Sequence, residues 1–134
     1  MNNFSKKLLA GAIAAVSVLV ATPAASAAAR DGRCDSGEFC LYWGPDSFGS
    51  LSDFTTSIDT YGTSQPTCYE YRTAGQPGFQ DCVKNNAMSA CNKRSRAVRV
   101  YFNSYHEGAY DTIPAGRCQN LVNTENENAS HLFL

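Results

Sequence analysis

The six cysteines restrict the fold of this 134-residue chain more than any other feature of its sequence. In a small domain from an oxidising compartment, an even number of cysteines indicates a framework of disulfide bonds, here three of them. A zinc site is the alternative, but the sequence has no C-x2-C pair, and His106 and His131 are not at ligand spacing from a cysteine pair. Among the pairings that six cysteines allow we favour nearest neighbours, which predicts Cys34–Cys40, Cys68–Cys82 and Cys91–Cys118.

The beginning of the chain has the pattern of a secretory signal peptide. Lys6 and Lys7 supply a positive start, residues 8–20 are apolar, and residues 25–27 form a small-x-small cleavage site. A membrane anchor is the rival interpretation, but this apolar run is shorter than the roughly 20 residues that a transmembrane helix needs. We therefore expect a signal peptide at 1–27 and a single mature domain at 28–134, which is secreted, extracellular and free of any membrane after signal removal.

Charge and composition argue against two classes of function. The sequence has eleven Lys and Arg side chains, of which Lys6 and Lys7 lie in the predicted signal peptide, and twelve Asp and Glu side chains. The mature chain therefore carries nine basic and twelve acidic groups, a formal charge of −3, whereas a nucleic-acid partner needs a clear basic excess. Enzyme activity is not predicted either. Neither His106 nor His131 has an acid–base partner at a spacing typical of a catalytic site, and cysteines in disulfide bonds cannot act as nucleophiles.

The mature chain has the pattern of an all-β domain. Glycine, proline, asparagine and serine interrupt the sequence repeatedly, and no window has a sustained helical stripe of apolar residues. The runs between these breaks that are rich in aromatic and β-branched residues are FCLYW, TCYEYR and AVRVYF. In the last run Val98, Val100 and Phe102 occupy alternate positions, as in a half-buried strand. We expect a small sandwich or barrel with a glycine-rich hairpin loop at 73–80.

The same pattern of strand and turn occurs twice, at the offset of 59 residues that separates Gly49 from Gly108. In each copy a pair of aromatic residues precedes the glycine, and apolar residues recur at further matching positions. The other matched positions are Leu41 with Val100, Tyr42-Trp43 with Tyr101-Phe102, and Phe54 with Ile113. Each copy also ends on an asparagine-rich turn, KNNAMS at 84–89 and NENAS at 126–130. We infer two β-units, arranged as two Greek keys around one core and stapled by disulfides.

Longer stretches resemble a known family. The spacing from Tyr42 to Phe48 and the glycine after it resembles the Greek-key motif of βγ-crystallin domains, although Glu107 replaces the second aromatic residue in the second copy. The runs CDSGEFCLYWGPDSFGSLSDF, CYEYRTAGQPGFQDCVKNNAMS and VRVYFNSYHEGAYDTIPAG together resemble secreted actinobacterial proteins of peptidase inhibitor family I36, of which the Streptomyces metalloproteinase inhibitor is the best-known type. This resemblance covers approximately residues 34–131 and implies a βγ-crystallin-like fold. Cys91 departs from the family, which commonly has an aromatic residue there.

For inhibitory members, the family implies a slow, substrate-like grip on extracellular thermolysin-type zinc proteases. The presented bond is a cysteine followed by a hydrophobic residue, and Cys82-Val83 matches it in this sequence. A thermolysin-like pocket selects an apolar residue after the scissile bond, and a bridge from Cys82 to Cys68 would hold that bond rigid and reduce the entropy lost on docking. The competing interpretation makes Cys82 a structural staple and Val83 a core residue. The resemblance implies a monomeric inhibitor whose partner is a protease and which needs no cofactor.

The asparagine-rich turns support a second hypothesis, which is calcium binding. Microbial βγ-crystallins often bind calcium through an Asn/Asp-Asn/Asp-x-x-Ser/Thr-Ser loop, whose oxygen atoms suit a hard cation. The candidate ligands are Asn85, Asn86 and Ser89 in the first turn, and Asn126, Glu127 and Ser130 in the second. The last serine of the motif is missing both times, so any site would be weak, and turn formation by asparagine and serine is the alternative. The second function is thus a non-inhibitory βγ-crystallin-like module that binds calcium or a cell-surface ligand.

Overall fold

The computed structural model describes residues 11–19 and 28–134, and the fold lies within the second range. The signal peptide expected at 1–27 falls mainly on residues 1–10 and 20–27, which lie outside the described residues. In the part of the chain that is described, all regular elements are β-strands, and no helix has the length and apolar character to cross a membrane.

Seven strands form two antiparallel sheets within residues 28–134. The strands are β1 (Phe39–Tyr42), β2 (Leu51–Phe54), β3 (Ser89–Asn92), β4 (Val98–Asn103), β5 (Glu107–Ile113), β6 (Cys118–Asn120) and β7 (Ser130–Phe133). The first sheet has the order β2-β1-β3-β6, and the second has the order β5-β4-β7. This architecture confirms the predicted all-β fold and, of the sandwich and the barrel that the sequence allows, it is the sandwich.

The hairpins β1–β2 and β4–β5 are the two copies of the sequence repeat. Phe39 is opposite Phe54 in the first hairpin, and Val98 is opposite Ile113 in the second, so both partners recur at the offset of 59 residues. The first hairpin turns through Gly49 at a φ of 86°, a conformation in which a side chain would be strained. β3 then pairs with β1, and β7 pairs with β4, so the two units have the same three-strand arrangement.

Each unit also contributes a segment to the sheet of the other unit. β6 follows the second hairpin but pairs with β3 of the first sheet, where Cys118 is opposite Cys91. Ile58 follows the first hairpin and forms a single bridge with His131 on β7 of the second sheet. The two units therefore interlock around one core between the sheets. The largest fully buried side chains of that core are Tyr61, Tyr71, Phe39, Phe54 and Leu41.

The six cysteines form three disulfide bridges between nearest neighbours along the chain. The bridges are Cys34–Cys40, Cys68–Cys82 and Cys91–Cys118. Cys40 and Cys91 are buried and opposite each other on β1 and β3, so two of the bridges extend from the same side of the first sheet. The third bridge closes a loop outside both sheets.

The run TCYEYR does not form the strand that its composition suggests. It makes only one isolated bridge, to Cys82. Its backbone N–H groups have partners in different segments. The Tyr69 N–H donates to the Tyr61 carbonyl, and the Tyr71 N–H donates to the Asp81 carbonyl. The Arg72 N–H donates to the Leu51 carbonyl on β2. Because these partners belong to three separate segments, no continuous ladder can form, and the hairpin loop at 73–80 has a short irregular base instead of two strands.

Candidate functional site

The Cys68–Cys82 bridge closes a loop that hydrogen bonds hold at its base. The Tyr71 N–H donates to the Asp81 carbonyl over 3.0 Å, and the Gln80 N–H donates to the Tyr71 carbonyl over 2.9 Å. Residues 74–77 at the tip are exposed to solvent. The loop is therefore cross-linked at its ends and accessible at its tip.

The tip of this loop is also fixed against the turn of the β1–β2 hairpin. The Pro77 carbonyl accepts a 2.9 Å hydrogen bond from the Ser50 N–H. Gly78 has a φ of 85° and lies so close to Trp43 that a Cβ at this position would be 2.3 Å from the indole ring. The next residue, Phe79, keeps 40% of its surface exposed. The loop thus offers an apolar side chain on a backbone that is held from both sides.

Phe79 lies in the hairpin loop predicted at 73–80 but is not one of the predicted site residues, and Phe48 in the β1–β2 turn is a second exposed aromatic residue. Phe48 is 55% exposed, and the Gly49 backbone beside it is packed against Trp43, as Gly78 is. The glycines next to the two phenylalanines, Gly49 and Gly78, therefore both lie against Trp43. The signal for Phe79 was its place directly after a Pro-Gly pair, since a side chain at the tip of a turn does not belong to the buried face of a strand.

The bond that the family resemblance indicates, Cys82-Val83, lies at the base of the loop. Val83 is fully buried among the core residues, and its N–H donates to the Tyr69 carbonyl over 2.8 Å. The Cys82 carbonyl accepts a 3.3 Å hydrogen bond from the Asn86 side-chain amide. In this conformation Val83 occupies the place that the competing interpretation gives it, and it would have to leave the core to enter a protease pocket. Its use as the residue after the presented bond stays a prediction.

The residues predicted to bind calcium lie in two turns that contact each other. The Asn85 N–H donates to the Asn128 carbonyl over 2.8 Å, and the Asn126 N–H donates to the Ala87 carbonyl over 2.9 Å. These two bonds relate the turns by approximate twofold symmetry. Glu127, which supplies the carboxylate of the candidate set, is exposed to solvent.

The serines of these turns form hydrogen bonds with the hairpin turns of their own units. The Ser89 hydroxyl donates to the Gly44 carbonyl over 2.7 Å and accepts a 3.0 Å hydrogen bond from the Ser47 N–H. Ser130 makes the same pair of bonds, at 2.6 and 3.1 Å, with the corresponding turn of the second hairpin. Both hydroxyls are thus engaged in folding the β1–β2 and β4–β5 turns over the sheets. Calcium binding at these two turns stays a prediction.

Asn128 gives the paired turns a structural role that can be measured. It is fully buried; its Oδ1 accepts from the Ala87 N–H, and its Nδ2 donates to the Ala87 and Thr124 carbonyls. We expect Asn128→Ala to lower the free energy of unfolding by about 2 kcal/mol, because buried backbone groups lose their partners. Urea unfolding in EDTA measures this loss, with exposed Glu127→Gln as the control. A loss that occurs only when calcium is present would contradict the structural role.

His131 lies in the core and is not part of a surface site. Its Nδ1 accepts a hydrogen bond from the Tyr61 hydroxyl over 2.9 Å, and its Nε2 donates to the Thr56 carbonyl over 2.8 Å. Burial lowers the pKa of His131 to about 3, although the bond to Thr56 acts in the opposite direction. The side chain is therefore neutral at physiological pH and serves packing.

Comparisons with known proteins agree with this architecture. One solved structure, from work on the evolution of the eye-lens βγ-crystallin domain fold, superposes with a TM-score of 0.54 at 9% sequence identity and covers 77% of this chain and 90% of the other. At that identity the likeness shows the fold alone. No curated protein matches the chain.

The family assignment comes from the sequence itself. The sequence model of peptidase inhibitor family I36 matches residues 27–113, which are more than half of the chain. The matched part includes both hairpins and the loop closed by Cys68 and Cys82. This chain therefore belongs to peptidase inhibitor family I36.

Proposed function

We propose that this chain is a secreted, monomeric inhibitor of extracellular thermolysin-type metalloproteases, and that it binds them through the loop between Cys68 and Cys82. Membership of family I36 supports a peptidase as the protein partner. Three disulfides and no free cysteine agree with an oxidising, extracellular location. The exposure of Phe79 on the closed loop is the observation that carries the choice of binding segment.

The loop has the properties that a substrate-like inhibitor needs. A protease of the thermolysin type takes an apolar side chain immediately after the bond that it attacks, and Phe79 is such a side chain. Ordering a flexible segment on binding costs about 1–2 kcal/mol for each backbone residue that is fixed. The bridge, the Ser50–Pro77 hydrogen bond and the packing of Gly78 on Trp43 order this loop in advance, so docking loses less entropy.

Phe79 suits the contact better than Val83 for an energetic reason. Moving the fully buried Val83 side chain into solvent costs roughly 1.5–3 kcal/mol in lost burial, and the cavity left in the core adds to that cost. Phe79 is already exposed, so it can enter an apolar pocket without any change in the core. The Cys82-Val83 bond is the alternative location, and its use would require the base of the loop to open.

Titration of thermolysin with the purified, oxidised protein tests this proposal. We expect stoichiometric loss of thermolysin activity and no loss of activity of a serine protease such as subtilisin. Phe79→Asp should weaken inhibition by about 30-fold, because a carboxylate would then face an apolar pocket. The control is Tyr105→Asp, which replaces another exposed aromatic residue, 68% exposed, in the β4–β5 turn. The inhibition constant of this control should lie within about threefold of that of the wild type.

Mapping any slow cleavage separates the two candidate bonds. After reduction, a new N-terminus at Phe79 would support the exposed contact, and one at Val83 would assign the Cys82-Val83 bond. Full thermolysin activity at micromolar inhibitor would contradict the thermolysin assignment. Inhibition that survives Phe79→Asp unchanged would contradict the role of Phe79 in the loop but leave the protease class in place.

The N-terminus of the secreted product is expected to be Ala28.

A further inference from the structure

Two buried carboxylates lie on the outer face of the first sheet, away from the core. Phe39 on β1 points into the core, so Glu38 and Cys40 on either side of it point outward. Asp53 on β2 is directly opposite Cys40 and shares that outer face. Both Glu38 and Asp53 are nevertheless fully buried, because residues 30–35 fold over them and the Cys34–Cys40 bridge holds that segment in place.

Asp53 organises the backbone of the covering segment. Its two carboxylate oxygens accept hydrogen bonds from the Asp31 N–H over 2.9 Å and the Gly32 N–H over 2.8 Å. The Asp31 side chain is exposed, and its Oδ1 accepts from the Arg33 N–H over 3.0 Å. Each of these carboxylate oxygens has a second lone pair, so the hydrogen bonds leave room for a cation.

Glu38 is incompletely satisfied where it is buried. Its Oε2 accepts a 2.8 Å hydrogen bond from the Asp35 N–H. Its Oε1 is buried and has no hydrogen-bond partner among the described residues. Because buried carboxylate oxygens are almost always paired, an oxygen without a partner beside two other carboxylates indicates a missing positive partner.

The nearby charges are mostly negative. One oxygen from each of Asp31, Glu38 and Asp53 lies within 4.8 Å of the others. Burial raises the pKa of the Glu38 carboxyl; the bond from the Asp35 N–H lowers it, and the charges of Asp53, Asp31 and Asp35 raise it again. The Arg30 guanidinium makes no hydrogen bond with these three carboxylates. It donates to the Ser52 hydroxyl and to the Asp53 and Glu70 carbonyls instead.

We propose that Asp31, Glu38 and Asp53 bind one Ca²⁺ ion. Three carboxylates without nitrogen or sulfur ligands suit a hard divalent cation. Calcium accepts several protein carboxylates in a flexible geometry, whereas magnesium is usually held by one or two carboxylates and keeps several of its water ligands, so a set of three carboxylates suits calcium better. Water molecules would complete the coordination on the exposed side of Asp31. The ion ties the N-terminal segment to the first sheet, and this site is separate from the asparagine-rich turns.

Calorimetric titration with CaCl2 tests the site, on the purified, oxidised protein after dialysis against EDTA. We expect one calcium ion per chain with a Kd of about 1 mM or below, as in extracellular calcium modules, and weaker binding of MgCl2. Saturating calcium should raise the Tm by about 5 °C. Glu38→Gln and Asp31→Asn should each weaken calcium binding by at least about tenfold, since each removes one charged ligand. Glu127→Gln, which alters the carboxylate of the asparagine-rich turns, should bind as the wild type does.

Several outcomes would overturn the proposal. The first is the absence of both binding heat and a Tm shift at about 10 mM calcium, well above the affinity of extracellular modules. The second is unchanged binding in Asp31→Asn, a variant that keeps its fold because the altered side chain is exposed. The third is loss of binding in Glu127→Gln alone, which would place the ion at the turns. Should Glu38→Gln fail to fold, Asp31→Asn decides the question.

Discussion

Between pH 7 and pH 4.5, His131 alone is expected to reduce the free energy of unfolding by about 3 kcal/mol. The pKa of this residue is about 3 in the folded protein, against an ordinary value of 6.5 in the unfolded chain. Above pH 6.5 neither state binds the proton, and the contribution is zero. Between pH 6.5 and about pH 3 this histidine is protonated in the unfolded state but not in the folded state. The free energy of unfolding therefore falls steadily as the pH is lowered over that range.

The geometry explains why the folded state refuses the proton. The Nδ1 atom faces the Tyr61 hydroxyl, which donates to it, and the ring lies 4.6 Å from the centroid of Phe54 and 5.0 Å from that of Phe39. A charged imidazolium would lose the hydrogen bond from Tyr61 and sit among aromatic rings without a counter-charge. The cost is therefore one of burial, and the hydrogen bond to Thr56 offsets only part of it.

Urea unfolding of the wild type and of His131→Gln at the two pH values measures this effect. Glutamine can keep hydrogen bonds but does not titrate, so the stability difference between pH 7 and 4.5 should shrink by about 3 kcal/mol in the variant. Burial raises the pKa of Glu38, which gives a contribution of opposite sign, but that group is the same in both proteins and cancels. His106→Gln, at a partly exposed site, is the control. Equal pH dependence in His131→Gln and the wild type would contradict the buried neutral histidine.

The hairpins could be predicted from the sequence because their determinants are local. An aromatic pair, a turn glycine and alternating apolar residues recur at one offset, and the register of both hairpins follows that offset from Phe39 to Val98. The paired asparagine-rich turns were visible for the same reason. The pairing of segments whose partners lie far away in the chain could not be predicted from the sequence. The pairing of β6 with β3 and the bridge from Ile58 to His131 depend on how the two units interlock, which no local pattern specifies.

The candidate sites show the same limit more clearly. Val83 was matched to a family motif through its neighbour in the sequence, but its burial depends on core residues from both sheets. The carboxylate cluster joins Asp31 from the N-terminal segment, Glu38 from the position just before β1, and Asp53 from β2. Its members come together only because Cys40 is opposite Asp53 and the N-terminal segment folds back over that pair. Turn chemistry and strand alternation can be read from the chain, whereas the covering of one face by another segment needs the tertiary structure.

Removal of the Cys91–Cys118 bridge, by Cys91→Ala together with Cys118→Ala, is expected to lower the free energy of unfolding by about 3–4 kcal/mol. The bridge spans 27 residues of sequence, and it joins residues directly opposite each other on β3 and β6. The closed segment contains the whole β4–β5 hairpin, so without the bridge the unfolded chain gains the conformational entropy of that segment. β6 would also lose the covalent link that holds it, as an edge strand, in the sheet of the other unit.

The Cys34–Cys40 bridge provides a matched control for this comparison. It spans only 6 residues of sequence, so its removal by the same alanine substitutions should cost about 2 kcal/mol. Each pair contains one buried cysteine, Cys91 or Cys40, so the packing lost with the sulfur atoms is similar in the two variants. Thermal unfolding followed by circular dichroism should show a Tm loss of at least about 12 °C for the longer bridge and a clearly smaller loss for the shorter one. Equal losses, or a larger loss for Cys34–Cys40, would mean that chain entropy does not set the order and that the N-terminal covering segment stabilises the fold more than the interlocking of its two units does.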